Sequence, residues 1–354
     1  MATYKQSGVD IDMGDKCSAI AYAAAKKTFA ARKGMIGRPV TINGGFTGLM
    51  DFGDFYLVKN DDGVGSKIAI ADALGKHDTL GYDLLAMVAD DAVCVGAETV
   101  AITNTLDTSK VSDKVVEPLL RGLQKACKEQ KVVIPGGEIA EMPDLINGNV
   151  WNASALGILE KKKFIKGDKV KPGDNIIGLK SHGFRSNGFS LIRFILREAY
   201  GYNWFSKKYD GKKSWGEVTL TPSLIYSDAV LDLIGRYKKK AKVKVKAIVH
   251  VTGGGIPGNI TRISGGHGAY LNDLFKPHDP MLKLQELGNV SDIEAYKVWN
   301  MGVGMILISK DFKKIKSILK KHKIEAKIIG EVTKEKKVRI VSRGAHSNDK
   351  ILTF

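Results

Sequence analysis

The chain runs twice through alternating strand-like and helix-like segments, and a charged, turn-forming stretch at 161–174 (with Lys171-Pro172-Gly173-Asp174) stands between the two runs. That punctuation constrains the fold more than any other feature. At 354 residues the chain exceeds the roughly 250–300 residues at which a single hydrophobic core stops growing. Each run is therefore expected to build its own core, residues 1–165 as one domain and 166–354 as a second. In the first run the patterns predict helices over 14–33, 79–95 and 111–130, and strands over 55–59, 67–71, 100–105 and 150–159. In the second they predict strands over 176–179, 243–251 and 304–309, and helices over 187–200, 222–238 and 257–264. The class is α/β, shading into α+β.

With 44% hydrophobic residues the chain has ample material for two cores, which excludes global disorder. It contains no run of 18 apolar residues, and Asp10 and Asp12 stand where a signal peptide would be apolar, so a cytoplasmic protein with no membrane partner is expected. The formal net charge of +17 raises the possibility of a nucleic-acid partner. The lysines, however, come singly or in short runs such as 161–163 and 238–240, without the interleaved aromatics of a base-stacking platform. A solvated basic surface is expected, with acidic small molecules rather than nucleic acid as partners. Cys17, Cys94 and Cys127 have neither zinc-site spacing nor the number for a disulfide framework, and are expected to be reduced and buried.

Glycine concentrates beside acidic and hydroxyl residues rather than in linkers, a pattern that also includes Asn43, Gly44, Gly45 and Gly48. Gly-rich turns expose backbone N–H groups to phosphate, and neighbouring carboxylates can hold the accompanying divalent cation. Asn60-Asp61-Asp62-Gly63-Val64-Gly65-Ser66-Lys67 lacks Walker A spacing, yet either aspartate could bind metal while Lys67 and the amides meet phosphate; a hairpin turn would explain it too. On the helix over 79–95, Asp91 shares the apolar stripe of Leu84, Val88 and Val95, whereas Asp83 and Asp90 lie on another face. A carboxylate on that stripe needs a cation, a lysine or donor groups. Glu138 follows Gly136-Gly137 at the end of a strand-like run, a common ligand position in α/β sheets. In the second half, Ser186-Asn187-Gly188 and His250-Val251-Thr252-Gly253-Gly254-Gly255 each precede a helix, where free amides suit anions; N-capping accounts for Ser186 and Asn187 equally well.

At these same segments the chain closely resembles the aminoimidazole ribonucleotide (AIR) synthetases, or phosphoribosylformylglycinamidine cyclo-ligases. The matching stretches are Tyr4-Lys5-Gln6-Ser7-Gly8-Val9-Asp10-Ile11-Asp12, Asp62-Gly63-Val64-Gly65, Lys76-His77-Asp78-Thr79-Leu80-Gly81-Tyr82-Asp83-Leu84 and Gly136-Gly137-Glu138 with Ala140-Glu141-Met142-Pro143. They continue through Ser186-Asn187-Gly188-Phe189-Ser190-Leu191, His250 to Gly255 and Asn300-Met301-Gly302-Val303-Gly304-Met305. The resemblance implies an N-terminal ATP-binding domain that dimerises through its sheet and a C-terminal α/β domain that closes the cleft. It also implies ATP-dependent ring closure of formylglycinamidine ribonucleotide, with ATP, Mg2+ and the monovalent cation K+ as cofactors and a homodimer as the assembly. Carried onto matching positions, it gives Asp62, Asp91 and Glu138 to magnesium, converging on one cavity, and Asp62, Gly63, Gly65, Lys67, Asp91, Gly96 and Ala97 to ATP. Arg185, Ser186, Asn187, Thr252, Gly253 and Gly254 fall to substrate, and His250 and Lys67 to catalysis.

The sequence departs from the family pattern at Thr99 for a proline, Asp90 for an asparagine, Ser66 for a threonine and Arg185 for a histidine. Arginine in that last place can bind an oxyanion but cannot act as a base near neutral pH. Related enzymes fit less well. There is no reactive Cys of a selenophosphate synthetase and no glutaminase region of a formylglycinamidine ribonucleotide synthetase, and Ser186-Asn187-Gly188 with Asn300-Met301-Gly302 disfavours a thiamine monophosphate kinase.

Overall fold

A computed structural model describes residues 2–41, 47–262 and 265–354. Asn43, Gly44 and Gly45 lie outside the described residues, whereas Gly48 opens a strand. The first sheet contains β1 (Arg38–Val40), β2 (Gly48–Asp51), β3 (Phe55–Gly63), β4 (Glu98–Thr108), β5 (Val133–Glu141) and β6 (Asn149–Glu160), in the order β1-β2-β3-β6-β4-β5. Its pairings are antiparallel except for β4 with β5, which run parallel and leave β5 at the edge. The second sheet contains β7 (Asn175–Lys180), β8 (Ala247–His250), β9 (Gly268–Leu271), β10 (Val303–Ile308), β11 (Ala326–Thr333), β12 (Val338–Val341) and β13 (Ile351–Thr353), ordered β13-β12-β9-β11-β7-β10-β8. The charged stretch over 161–174 joins them.

The helices of the first run are α1 (Ile11–Thr28), α2 (Ile68–Leu74), α3 (Leu80–Cys94) and α4 (Asp113–Gln130). Those of the second are α5 (Phe189–Tyr200), α6 (Trp215–Thr219), α7 (Ser227–Ile234), α8 (Gly255–Ile260), α9 (Asp279–Gly288), α10 (Asp292–Val298) and α11 (Phe312–Lys321). Helix α3 organises the molecule. It is apolar on nearly every side, which in a helix means burial all round. One flank packs on β3, β4 and β6 and on α4, and the other meets β8 and α7 of the second run. Its three aspartates are thereby carried between the two halves, where each must find a partner.

Four local expectations change. Residues 67–71 are not a strand: a 3-10 turn, Gly65–Lys67, leads into α2, which buries Ile68, Ile70 and Ala71 and stops at Gly75 in the left-handed region. A short apolar run fits either geometry, and here the alanines and the glycine stop favour the helix. The helix over 222–238 shrinks to α7, ended by Gly235 at positive φ, and the strand over 243–251 shrinks to β8. Cys94 and Cys127 are buried, but Cys17 is exposed, because α1 buries none of its residues.

Candidate active site

Strand alternation resolves the choice between the two neighbouring aspartates at the end of β3. Successive side chains point to opposite faces, so Asp61 turns outward, pairing with Ser154 and Lys59, while Asp62 turns into a cleft between the two halves. The chain must pass close to β6 there. A Cβ on Gly63 would come within 2.0 Å of the Asn152 side-chain oxygen and 2.8 Å of the Trp151 carbonyl, so only glycine fits. The cleft, a cavity of about 340 Å³, is walled by Asp62, Gly63, Gly65 and Ser66 on one side and by Ser186, Asn187 and Gly188, leading into α5, on the other. The turn after β8 adjoins it: a Cβ on Gly253 would lie 3.8 Å from Asn187 Oδ1. Buried Asn259 fixes that turn by donating to the carbonyls of Thr252, Gly253 and Gly255 at 3.3, 3.1 and 2.7 Å. Ser186 Oγ is buried at the mouth of α5 with no hydrogen-bond partner in the protein. An orphan hydroxyl beside free helix amides is a ready donor set for an anion.

The Asp91 charge reaches Asp62. Burial pushes the Asp62 carboxyl up to about 6, and the Asp91 charge adds to the rise. Burial pushes Asp91 up to about 8, against the pull of Arg262 and Arg185. Two carboxylates that resist ionising together fit a divalent cation, which supplies the missing positive charge with the hard oxygen ligands it prefers.

Glu138 does not join them within one chain. It lies exposed on β5 and lines a separate groove of about 430 Å³ with Asn104, Leu106 and Trp151. Among the described residues no three His, Cys, Asp or Glu side chains converge as a metal-ligand set. The expected convergence of three carboxylates on one cavity is therefore not met within one chain: of the three, Asp62 lines the cleft and Glu138 the separate groove. β5 carries the glutamate because 135–138, which reads as a turn in the sequence, continues the strand in parallel register with β4.

The other assigned residues are also placed differently. Lys67 is fully buried, and its three ammonium hydrogens go to Asp83 Oδ1 (2.8 Å), the Arg185 carbonyl (3.1 Å) and the Thr221 carbonyl (2.8 Å). Asp83 Oδ1 also accepts from the Ser223 N–H at 3.0 Å and from its hydroxyl. Burial pulls Lys67 below its ordinary value while Asp83 opposes that shift. Lys67 therefore ties the two halves together rather than facing a phosphate. Arg185, likewise fully buried and in the left-handed region, donates to Asp90 Oδ2 (2.9 Å), the Leu224 carbonyl (2.8 Å) and His250 Nε2 (2.8 Å). Asp90 Oδ1 accepts from the Tyr226 N–H at 2.9 Å. His250 Nδ1 lies 2.7 Å from Asp91 Oδ1, and burial together with the Arg185 charge holds this histidine down at about 3. Both ring nitrogens are occupied, so His250 has no free basic site to offer a substrate. Gly96 and Ala97 sit past the end of α3 in a packing contact, Gly96 against the Lys163 carbonyl and Ala97 in a small core with Val58 and Leu159.

Sequence reading missed the roles of Asp83 and Asp90, placing them off the apolar stripe. The signal was available: a helix apolar on every side leaves no polar face for any carboxylate. Tyr4, Met87 and Asn152, which also line the cleft, carried no such signal.

Comparison with known proteins gives this arrangement its context. Residues 45–159 match the model of the AIR synthase related protein N-terminal domain, and residues 171–343 that of its C-terminal domain. A phosphoribosylformylglycinamidine cyclo-ligase of Thermococcus kodakarensis is 39% identical over 346 residues, covering 97% of this chain and 99% of its own. Another, of Methanocaldococcus jannaschii, is 36% identical over 334 residues, covering 94% and 92%. Among solved structures, that of a HypE–HypF complex aligns at a TM-score of 0.61 with 18% identity, covering 87% of this chain and 92% of the matched chain. AaThiL complexed with AMPPCP and TMP aligns at 0.58 with 15% identity, covering 87% and 91%. The last two share the fold. Matched in both halves by the family's domain models and along nearly its whole length by the cyclo-ligases, the chain belongs to the phosphoribosylformylglycinamidine cyclo-ligase family of AIR synthase related proteins.

Proposed function

We propose that the chain closes the imidazole ring of 5-aminoimidazole ribonucleotide from formylglycinamidine ribonucleotide at the expense of ATP, and that the nucleotide phosphates occupy the cleft between the β3 turn and the start of α5. The observation that carries this reading is the union of Asp62, Gly63 and Gly65 with Ser186 and Asn187 around one cavity, with the Ser186 hydroxyl buried and unpartnered. Asp62 and Asp91 would hold magnesium. Magnesium–ATP supplies the phosphoryl group that makes the formyl oxygen a competent leaving group. The protein's own work is positioning and charge neutralisation. The α5 amides and Ser186 Oγ donate to phosphate oxygens, and the Thr252–Gly254 turn beside Asn187 offers further backbone donors to the substrate. Lys67 and His250 contribute by holding the cleft walls. The test is a product assay on the purified protein: ADP, phosphate and the aminoimidazole are expected together, and only with magnesium and formylglycinamidine ribonucleotide present. Substrate-dependent ADP release without the imidazole would refute the ring-closure reading.

The same reading includes a homodimer formed through β5. This edge strand exposes Val133 (63%), Ile134 (36%) and Ile139 (42%), apolar side chains that an isolated chain would leave in water. Glu138 lies on that strand, so its contribution to the cation site is across the pairing of two chains. Ile139→Glu is expected to yield monomers by light scattering and to lose turnover with association. A monomeric variant with full activity would remove Glu138 from the site.

A further inference from the structure

Two of the positions where the sequence departs from the family pattern touch each other: Asp90, in place of an asparagine, accepts at 2.9 Å from Arg185, in place of a histidine, and both side chains are essentially out of solvent. From this pair a chain of contacts reaches Asp91. The guanidinium carries only donors, so at 2.8 Å from His250 Nε2 it must donate to it. A neutral imidazole has a single proton. With Nε2 accepting, that proton is on Nδ1, which donates to Asp91 Oδ1 at 2.7 Å. Asp90 holds the guanidinium in place with one oxygen while its other oxygen is fixed by the Tyr226 N–H, and the Tyr226 ring lies beneath the guanidinium at 5.0 Å.

We propose that Asp90 and Arg185 act as one positioning unit, which forces His250 to carry its proton on Nδ1 and so fixes the direction in which the Asp91 carboxylate meets the cation. Arg185 is thus a positioning residue and makes no contact with the reacting atoms. The proposal rests on Asp91 being a cation ligand. Orienting partners of metal-binding groups typically matter by about 10–100-fold in affinity, which sets the scale expected here.

The test starts with protein labelled with 15N-histidine, in which long-range proton–nitrogen couplings distinguish the two tautomers and His250→Gln assigns the signal. Wild-type His250 is expected protonated at Nδ1 alone. An Nε2–H signal assigned to His250 would by itself overturn the proposal. Arg185→Met is expected to release the tautomer and to weaken binding of magnesium with AMPPCP, by calorimetry, at least tenfold. The double variant Asp90→Asn/Arg185→His, which restores the residues usual in the family and removes both buried charges, should recover most of that affinity. A structural role alone would lower thermal stability in Arg185→Met and leave its tautomer and magnesium–AMPPCP affinity at wild-type values, and that result would also overturn the proposal. The tautomer does not depend on turnover. A protein with the expected tautomer but no imidazole product would defeat the proposed reaction and leave the positioning unit standing, whereas an active enzyme with an Nε2–H His250 would do the reverse.

Discussion

Lys67→Met is expected to destabilise the fold by about 3–5 kcal/mol, the usual cost of leaving a buried charge without its partner. The variant strands Asp83, whose other oxygen, Oδ2, already lacks a partner, and removes the donor that the Arg185 and Thr221 carbonyls share. Chemical denaturation measures the loss. The double variant Lys67→Met/Asp83→Leu removes both charges and should recover most of it, because a buried ion pair replaced by apolar groups of similar volume often costs little. Had Lys67 faced ATP, the single variant would keep its stability and lose only nucleotide affinity. A stability unchanged by Lys67→Met, with ATP binding abolished, would return the lysine to the phosphate site.

Asp62→Asn and Asp91→Asn should each lower kcat/KM for magnesium–ATP by at least about 100-fold, because each removes a charged ligand from the proposed magnesium site. The same changes should make the unliganded protein more stable. Both folded-state carboxyls lie above their unfolded value of about 3.9, at about 6 for Asp62 and about 8 for Asp91. The folded protein therefore binds more protons than the unfolded chain across the interval between. The contribution of these groups to stability is full below about pH 4 and falls as pH rises through about 6 and then about 8. Magnesium affinity runs the opposite way, rising over the same window as the protons leave. Calorimetric melting at pH 5, 6.5 and 8 should show a fall in the ligand-free wild type that saturating magnesium–AMPPCP reverses and that Asp91→Asn flattens at its upper end. A melting temperature of Asp91→Asn that tracks the wild type at all three pH values would show that Asp91 does not carry the raised carboxyl.

The arrangement divides stability from function along α3. Asp83 and Asp90 pair with Lys67 and Arg185, whereas Asp91, with a side chain 14% exposed, meets the His250 imidazole. The first two hold the walls at a fixed spacing. The third is left in tension with Asp62, which is the condition a cation relieves.

What the sequence determined by itself was local. Two runs of alternating elements, a charged linker and helices with clear stops identify two α/β halves, because period and punctuation act within about fifteen residues. The glycine-flanked polar segments mark the cleft walls for the same reason: close approach and positive φ are demands each position makes on its own residue, as at Gly63 and Gly254. The single apolar stripe drawn on α3 singled out Asp91, which meets His250, but left Asp83 and Asp90 on a polar face that does not exist. Their partners, Lys67, Arg185, Ser223 and the Tyr226 amide, are 16 to 140 residues away, and no local pattern records such a meeting. Only the tertiary structure decided that Lys67 and Arg185, the two cations best suited by type to phosphate, are consumed in holding aspartates. The physical reason is the price of a bare charge in a dry interface, which is settled by whichever opposite charge the fold brings within reach.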